Sequence, residues 1–155
     1  EERLMPPGAS RLFGETVFPV AHPSLGMKRL DSAELIERST LLEFEGDSSF
    51  AWQWSNWLES QVWAGIKPKG TLRFNLYDQL IHAAVAGQGI ALGKGQIIAP
   101  MLADGRLIAL PTPFPGPSSN KVYYLIQRDS PASNQAQALI DWIRTEARAT
   151  DSAPA

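Results

Sequence analysis

The turn Gly93-Lys94-Gly95 is the first candidate for binding chemistry in this 155-residue sequence. It follows a short apolar segment and precedes a helical pattern, so free backbone N–H groups, the helix dipole and Lys94 could together hold a carboxylate. The alternative is an ordinary strand-to-helix turn with a solvated lysine, and for Lys94 itself we favour that alternative. Whether the turn borders a pocket is left open by the sequence.

The polar loop from Gly46 to Phe50 is a second candidate. Hydroxyl and backbone N–H donors at Ser48 and Ser49 could face a ligand, or one of these serines could cap the helix that follows, and both interpretations stay open. A third motif, Gly87-Gln88-Gly89, has the first two glycines of a dinucleotide-binding turn. It ends a helix and precedes a strand, which is the reverse of the required order, so we expect no nucleotide there.

The sequence contains no clear pattern for a hydrolytic active site or a metal site. The two histidines, His22 and His82, lie far apart in the chain and neither belongs to a zinc-binding pattern. There is no G-x-S-x-G motif, so a triad would require Ser49, Asp47 and a histidine to meet in space without any motif that indicates it. We therefore expect no catalytic residue, no metal and no cofactor. An α/β enzyme is an alternative only if those side chains come together.

Composition bounds the class of protein. The apolar fraction is 44%, the charged fraction is 19% and the net charge is −2, as in a soluble globular domain without the basic field of a nucleic-acid binder. No apolar run is long enough to span a membrane, no signal peptide is visible and there is no cysteine. The sequence starts at Glu1 without methionine, so we expect a fragment of a longer protein, and its composition leaves open whether another part of that protein binds DNA.

The segment from Thr71 to Leu110 must position these candidates, and its pattern alternates strand and helix. Thr71–Asn75 alternates like a half-buried strand with Leu72 and Phe74 inward, and Asn75 is a candidate helix cap. A helix ending at Gly87, a buried strand at 89–92, a helix at about 96–103 and a strand at 106–110 follow. The helices carry apolar stripes, listed here: Tyr77, Leu80, Ile81, Ala84 and Val85, then Ile97, Ile98, Met101 and Leu102. This order predicts an α/β fold with parallel strands.

The flanking segments complete the prediction. Residues 1–11 are predicted as a loop, and residues 12–20 as an edge strand or a crossing segment because of Pro19. Residues 31–38 are predicted as a helix and residues 40–45 as a strand. A tryptophan-rich helix at about 51–63 should place Trp57 and Leu58 against the sheet. A proline-rich loop at 111–120 precedes a strand at 121–127, a helix starting at Ser130-Pro131 and a frayed tail at 150–155. The buried stripe of the last helix is predicted as Ala136, Leu139, Ile140, Ile143 and Ala147.

Several of these segments together resemble a known family. They are ETVFPVAHPSL, LLEFEG followed by W-x-x-WLE, LRFNLYDQLIHAAVAGQGIALG, APMLADGRLIAL, and YYLIQ before a DWI helix. In this order and spacing, over about residues 15–146, the chain resembles the C-terminal effector-binding domain of LysR-type transcriptional regulators. The most specific part is AVAGQGIALG followed by L-x-x-G-x-L. The likeness points to the subgroup that includes the glycine-cleavage activator.

The resemblance implies a type 2 periplasmic-binding-protein-like α/β fold with two subdomains and an effector cleft between them. Residues 1–17 would end the first subdomain and cross over, and residues 18–110 would form the second subdomain. Residues 111–150 would cross back and supply a strand and helix of the first subdomain, and residues 151–155 would be a disordered tail. The N-terminal helix-turn-helix and the front half of the first subdomain are absent from this sequence.

The resemblance also implies site residues and partners. Effector contacts carried over from the family pattern fall on six positions: Ser48, Ser49, Phe50, Asn75, Tyr77 and Gly93. The full-length protein would be a cytoplasmic homodimer or tetramer that binds DNA through its missing domain, with Gln79, His82 and Ala86 facing outward near the dimer surface. We therefore expect a sensor of a small metabolite and not an enzyme. The alternative is a solute-binding receptor domain of the same fold.

Overall fold

The computed structural model describes residues 8–45, 53–127 and 133–151, the last three of these by their backbone only. The chain forms two compact units. The larger unit is Thr16–Ser119, and the smaller unit draws on Glu1–Glu15 and Asn120–Ala155. None of the helices in the described ranges is long and apolar enough to cross a membrane.

The regular elements of the described residues alternate along most of the chain. The strands are β1 Ala9–Gly14, β2 Val17–Ala21, β3 Thr40–Phe44, β4 Gly70–Phe74, β5 Ile90–Lys94, β6 Ile108–Ala109 and β7 Val122–Ile126. The α-helices are α1 Ala33–Arg38, α2 Trp54–Ser60, α3 Tyr77–Val85, α4 Gly95–Ala103 and α5 Asn134–Asp151, and a 3-10 turn covers Pro23–Leu25.

The larger unit is built on a five-stranded sheet in the order β4-β3-β5-β2-β6. Strand β3 lies between β4 and β5 and is parallel to both, which confirms the predicted parallel connection through α3. Strand β2 is antiparallel to its two neighbours, β5 and β6. The sheet is therefore mixed, with its parallel strands at one side.

Strand β2 is an interior strand, so the edge position, one of the two alternatives predicted for this segment, is wrong. The proline tolerates this place because the carbonyl of Pro19 accepts a hydrogen bond from the N–H of Leu110, 2.8 Å away, on the β6 side. In an extended strand the N–H and C=O of one residue point to the same side, so the N–H that Pro19 lacks would also face β6. Strand β6 has only two residues, and they pair with Val20 and Ala21. No hydrogen bond to β5 is lost.

Two apolar clusters cover the two faces of this sheet. Neighbouring residues of one strand separate between them: Leu41 belongs to one cluster and Leu42 to the other, as alternation in a strand requires. The first cluster contains Trp54, Trp57 and Leu58 of α2, which confirms the predicted inward face of that helix. The second packs the predicted stripe of α3 and Ile98 of α4 onto the sheet.

Some local predictions in the larger unit are wrong. Leu76, not Asn75, is the N-cap of α3, and no side-chain hydrogen bond caps that helix. The side chain of Leu72 is 42% exposed because β4 is the edge strand of the sheet. Ile97 is also exposed, since α4 turns Ile98 toward the sheet and its neighbour away from it.

The smaller unit pairs β1 with β7 antiparallel and packs α5 on β1. Strand β7 confirms the predicted strand, whereas β1 begins at Ala9 inside a segment predicted as loop up to Arg11. The rings of Phe13 and Tyr123 lie 4.8 Å apart between the two strands. On α5, Ala147 is buried as predicted, but Ala136 and Leu139 are exposed. The predicted helix start at Ser130-Pro131 lies outside the described residues.

Candidate functional site

The parallel strands β3, β4 and β5 end at the same edge of the sheet, which we call the carboxyl-end edge. The last residues of these strands are Phe44, Phe74 and Lys94. Helix α3 begins at Tyr77, three residues after β4, and α4 begins at Gly95, directly after β5. Ligands of α/β sheets bind at such an edge because loops and helix N-termini converge there.

A hydrogen bond joins the start of α3 to the end of β5. The backbone N–H of Lys94 donates to the hydroxyl of Tyr77 at 2.6 Å. Tyr77 belongs to the apolar stripe of α3, which packs on the sheet, and this packing brings the phenol to the end of β5. The two elements therefore have a fixed spacing at the carboxyl-end edge.

Lys94 is a buried lysine between aromatic rings. The residue is only 8% exposed. Its Nζ atom lies 4.6 Å from the centroid of the Tyr77 ring and 6.0 Å from the centroid of the Phe44 ring. The two rings meet edge to face, 6.0 Å apart. A cation over an aromatic face is electrostatically favourable, more so when water is excluded. The predicted solvated lysine is therefore wrong, because β5 is an interior strand and the rings cover its last residue.

The apolar floor beneath these rings is nearly closed. A cavity of about 10 Å³ lies among Leu42, Phe44, Tyr77, Leu80 and Leu92. This volume is about enough for one water molecule and too small for a metabolite. A ligand at this edge would therefore contact the groups at its rim.

Gly93 and Asn75 occupy different environments at the same edge. A Cβ atom at Gly93 would lie 2.5 Å from Cδ1 of Ile98 and 3.0 Å from a methyl group of Val20, so the absence of a side chain lets α4 pack on β5. Asn75 follows β4 directly and is exposed. Of the six predicted site residues, the structure places Asn75, Tyr77 and Gly93 at the carboxyl-end edge. The other three, Ser48, Ser49 and Phe50, lie outside the described residues.

A polar clamp holds the start of α4 against the chain that leads into β2. The N–H of Gly95 donates to the carbonyl of Thr16 at 2.9 Å, and Oε1 of Gln96 accepts from the N–H of Thr16 at 3.1 Å. Neither Thr16 nor Gln96 carries a local sequence signal for this contact, since it joins positions 80 residues apart. Phe44 was missed for the same reason, although a strand-terminal aromatic residue before a polar loop is a usable signal.

Glu43 is a half-buried acid on β3. Burial raises the pKa of the Glu43 carboxyl above its ordinary value, while the hydrogen bond from the N–H of Trp54 and the charge of Arg73 oppose that rise. The Trp54 N–H to carboxylate distance is 3.2 Å. The indole N–H of Trp54 donates to the carbonyl of Leu42 at 3.0 Å. The N-terminus of α2 is thus tied to β3 by two hydrogen bonds.

The histidines lie in separate settings. His22 precedes the 3-10 turn and accepts a hydrogen bond from the N–H of Ser24, and His82 is exposed on α3. Asp47 and Ser49 of the hypothetical triad are outside the described ranges. Within those ranges there is no group of three or more histidine, aspartate or glutamate residues that could hold a metal ion.

Residues 3–148 match the LysR substrate binding domain family, which is nearly the whole chain. The chain therefore belongs to this family, whose fold is of the periplasmic-binding-protein-like α/β type and whose members are the effector-binding domains of LysR-type transcriptional regulators. The predicted fold class and the predicted function are confirmed, and the solute-binding receptor is not favoured. Comparison with curated protein sequences finds no match.

Solved structures agree on the fold. The effector domain of the transcriptional regulator AmpR of Pseudomonas aeruginosa is 21% identical over 95% of this chain and 69% of its own, with a TM-score of 0.63. The AmpR effector binding domain from Citrobacter freundii is 17% identical over 91% of this chain and 68% of its own, with a TM-score of 0.62. Full-length HypT from Salmonella typhimurium, a hypochlorite-specific LysR-type regulator, is 20% identical, and this chain covers 50% of it with a TM-score of 0.54. Two of these relatives are effector domains of AmpR regulators, and the third is a full-length LysR-type regulator.

Proposed function

We propose that this effector-binding domain recognises its small-molecule effector at the carboxyl-end edge of the larger unit. The observation that carries the proposal is the joint placement of Tyr77 and Lys94, which are hydrogen-bonded to each other where three parallel strands end. Asn75 is exposed beside them, and Gly93 precedes Lys94. Ser48, Ser49 and Phe50 complete the proposed site, since they follow β3 along the chain.

The chemistry of this edge favours an effector with a carboxylate. The side-chain nitrogen of Lys94 lies beside aromatic rings, and the first turns of α3 and α4 add the positive ends of two helix dipoles. The faces and edges of Phe44 and Tyr77 offer apolar contact to the rest of the molecule. An amino-acid-like or aromatic carboxylate satisfies both requirements.

The two units serve as parts of two lobes in this proposal. Residues 18–110 form the second effector-binding lobe, and residues 1–17 and 111–150 supply crossovers and pieces of the first, with a tail at 151–155. The division of the chain at Thr16 and Ser119 supports this organisation. So do Leu139 and Trp142 of α5, which are 56% and 59% exposed and would pack against the remainder of the first lobe. An effector that binds one conformation of the regulator more tightly than another shifts the population toward that conformation.

Membership of the family supports a proposal for the surrounding assembly. The chain is the sensing part of a cytoplasmic regulator of the glycine-cleavage-activator subgroup that binds DNA through an N-terminal helix-turn-helix domain, as a homodimer or tetramer. The dimer uses β4 and the outer face of α3. Exposed Gln79, His82 and Ala86 and the open edge of β4 support that surface.

A ligand screen on the full-length regulator tests the proposal. Carboxylate metabolites are compared with their amides by thermal shift, and each hit is repeated with Ser49→Ala, Tyr77→Phe and a control, Glu59→Gln on the exposed side of α2. We expect a carboxylate to raise the melting temperature and both site variants to weaken that rise. If the effector concentration that gives half of the maximal rise in melting temperature were the same in the wild type and in both site variants, the carboxyl-end edge would not be the effector site.

A further inference from the structure

A second cavity lies at the opposite edge of the same sheet. Its volume is about 380 Å³, which falls in the range of small-molecule sites. It opens where β3 and β5 begin, at Thr40 and Ile90, and beside the turn that ends α3. We call it the amino-end cavity. Along β3, Thr40 at this cavity and Phe44 at the carboxyl-end edge are four residues apart. At the rise of an extended strand, this corresponds to about 13 Å.

The lining combines an apolar floor with a cationic rim. Leu25, Met27, Leu35 and Ile90 give the floor. Arg38 and Lys69 are the charged residues of the rim, and the residues that line the cavity include no acid. In the described part of the chain, ion pairs within 4.0 Å involve other arginines, such as Arg29 with Asp31, and not these two cations.

Arg38 and Lys69 are not required to satisfy the carbonyl groups at the C-termini of α1 and α3, which lie near this cavity. Carbonyl groups at a helix C-terminus attract positive charge, so cations near them often only satisfy those carbonyls. Here the chain itself does so: the N–H of Gln88 donates to the carbonyl of Ala83 at 3.0 Å in α3. In α1 the hydroxyl of Ser39 donates to the carbonyl of Leu35 at 2.6 Å. The pKa of Glu34, one turn before Arg38, is lowered mainly by a hydrogen bond from its own backbone N–H and one from Ser32, with a smaller effect from the charge of Arg38. Arg38 itself lines the cavity.

We propose that the amino-end cavity binds a small organic anion, a monocarboxylate with a short apolar chain. The carboxylate would lie between Arg38 and Lys69, and the chain would cover the floor at Met27 and Leu35. A neutral molecule of the same shape would lack the charge-assisted hydrogen bonds, which are the stronger part of such recognition. The site is separate from the effector site proposed above and does not depend on it.

Titration of the isotope-labelled chain with sodium hexanoate, followed by amide resonances in two-dimensional NMR, tests this site. We expect saturable shifts at Gly87, Gln88 and Gly89 and weaker shifts with hexan-1-ol. Arg38→Gln combined with Lys69→Gln should raise the dissociation constant for hexanoate at least about fivefold, because both charge-assisted contacts are removed. The matched control Lys67→Gln changes an exposed lysine that does not line the cavity. Well-dispersed spectra of each variant establish that it is folded.

The outcomes separate the two sites. Unchanged hexanoate affinity in Lys94→Met supports the amino-end cavity as an independent site. Shifts confined to Tyr77 and its neighbours, equal affinity for hexanoate and hexan-1-ol, or equal weakening by Lys67→Gln would each overturn it. None of these results decides whether the carboxyl-end edge binds the effector, which the screen on the full-length regulator measures.

Discussion

The hydroxyl of Tyr77 accepts a 2.6 Å hydrogen bond from the backbone N–H of Lys94. This bond connects the first residue of α3 with the last residue of β5, and the ring of Tyr77 also covers the ammonium group of Lys94. One side chain therefore fixes both the backbone and the charge of the turn into α4. Any ligand that binds at this turn is bound by groups whose positions Tyr77 determines.

Replacing Tyr77 by phenylalanine should lower the free energy of unfolding by about 1–3 kcal/mol, because a buried N–H loses its acceptor. The ring and its contact with Phe44 are kept, so the fold should persist. Urea denaturation followed by circular dichroism measures the change. Tyr124→Phe on β7 is the matched control in the other unit. If both variants lower the free energy of unfolding by the same amount, the hydrogen bond to Lys94 does not contribute to stability as predicted.

Replacing Lys94 by methionine should separate ligand recognition from folding. The apolar chain of methionine fits among the rings, and the lost cation–π attraction of about 0.5–2 kcal/mol is offset by removal of a buried charge. In thermal-shift titrations of the full-length regulator, we expect the concentration of a carboxylate effector that gives half of the maximal shift to rise at least about tenfold, since a charged contact is lost. Lys67→Met, at an exposed position, is the control. A normal response in Lys94→Met would rule out a role for its charge.

The sequence predicts best those elements whose signals are local. The stripe of α3 repeats every three or four residues, and Leu80, Ile81 and Ala84 are buried as that spacing requires. Gly87 ends the helix with a φ of 71°, a conformation that glycine adopts without a steric penalty. Such features depend only on neighbours within a few residues.

Features that depend on distant parts of the chain could not be predicted. The burial of Lys94 follows from the interior position of β5 between β3 and β2, and the exposure of Leu72 follows from the edge position of β4. The order of strands is a property of the whole sheet. The edge position predicted for the strand that contains Pro19 was wrong because proline is tolerated in this interior strand only through the shortness of β6. The site prediction at Ser48, Ser49 and Phe50 came from the family likeness and stays a prediction.

Adding a methyl group at Gly116 should disturb the proline-rich segment. A Cβ atom there would lie 1.9 Å from two ring atoms of Trp57, which is 2% exposed, so ring or backbone must move. We expect Gly116→Ala to cost about 1–3 kcal/mol, the usual range for overpacking, and to change tryptophan fluorescence. In the control Gly70→Ala the nearest atom would be 4.0 Å away. Equal thermal midpoints for the two variants would contradict this packing.

Glu43 should make stability depend on pH in a predictable direction. Because burial raises the pKa of this carboxyl in the folded state, the folded chain binds its proton more tightly than the unfolded chain. The stability that Glu43 contributes is therefore complete below its ordinary pKa and is lost as pH rises through the folded-state pKa. Glutamine at this position can still accept the hydrogen bond from Trp54 but cannot ionise.

The stability of Glu43→Gln relative to the wild type should therefore increase from about pH 4 to about pH 7, where only the wild type acquires a half-buried negative charge. Urea denaturation across this range, with the difference in unfolding free energy plotted against pH, measures the effect. For the control Glu59→Gln, at an exposed position of α2, the plotted difference should rise less. A flat or falling difference for Glu43→Gln would mean that the N–H of Trp54 and the charge of Arg73, which favour the ionised form, outweigh burial.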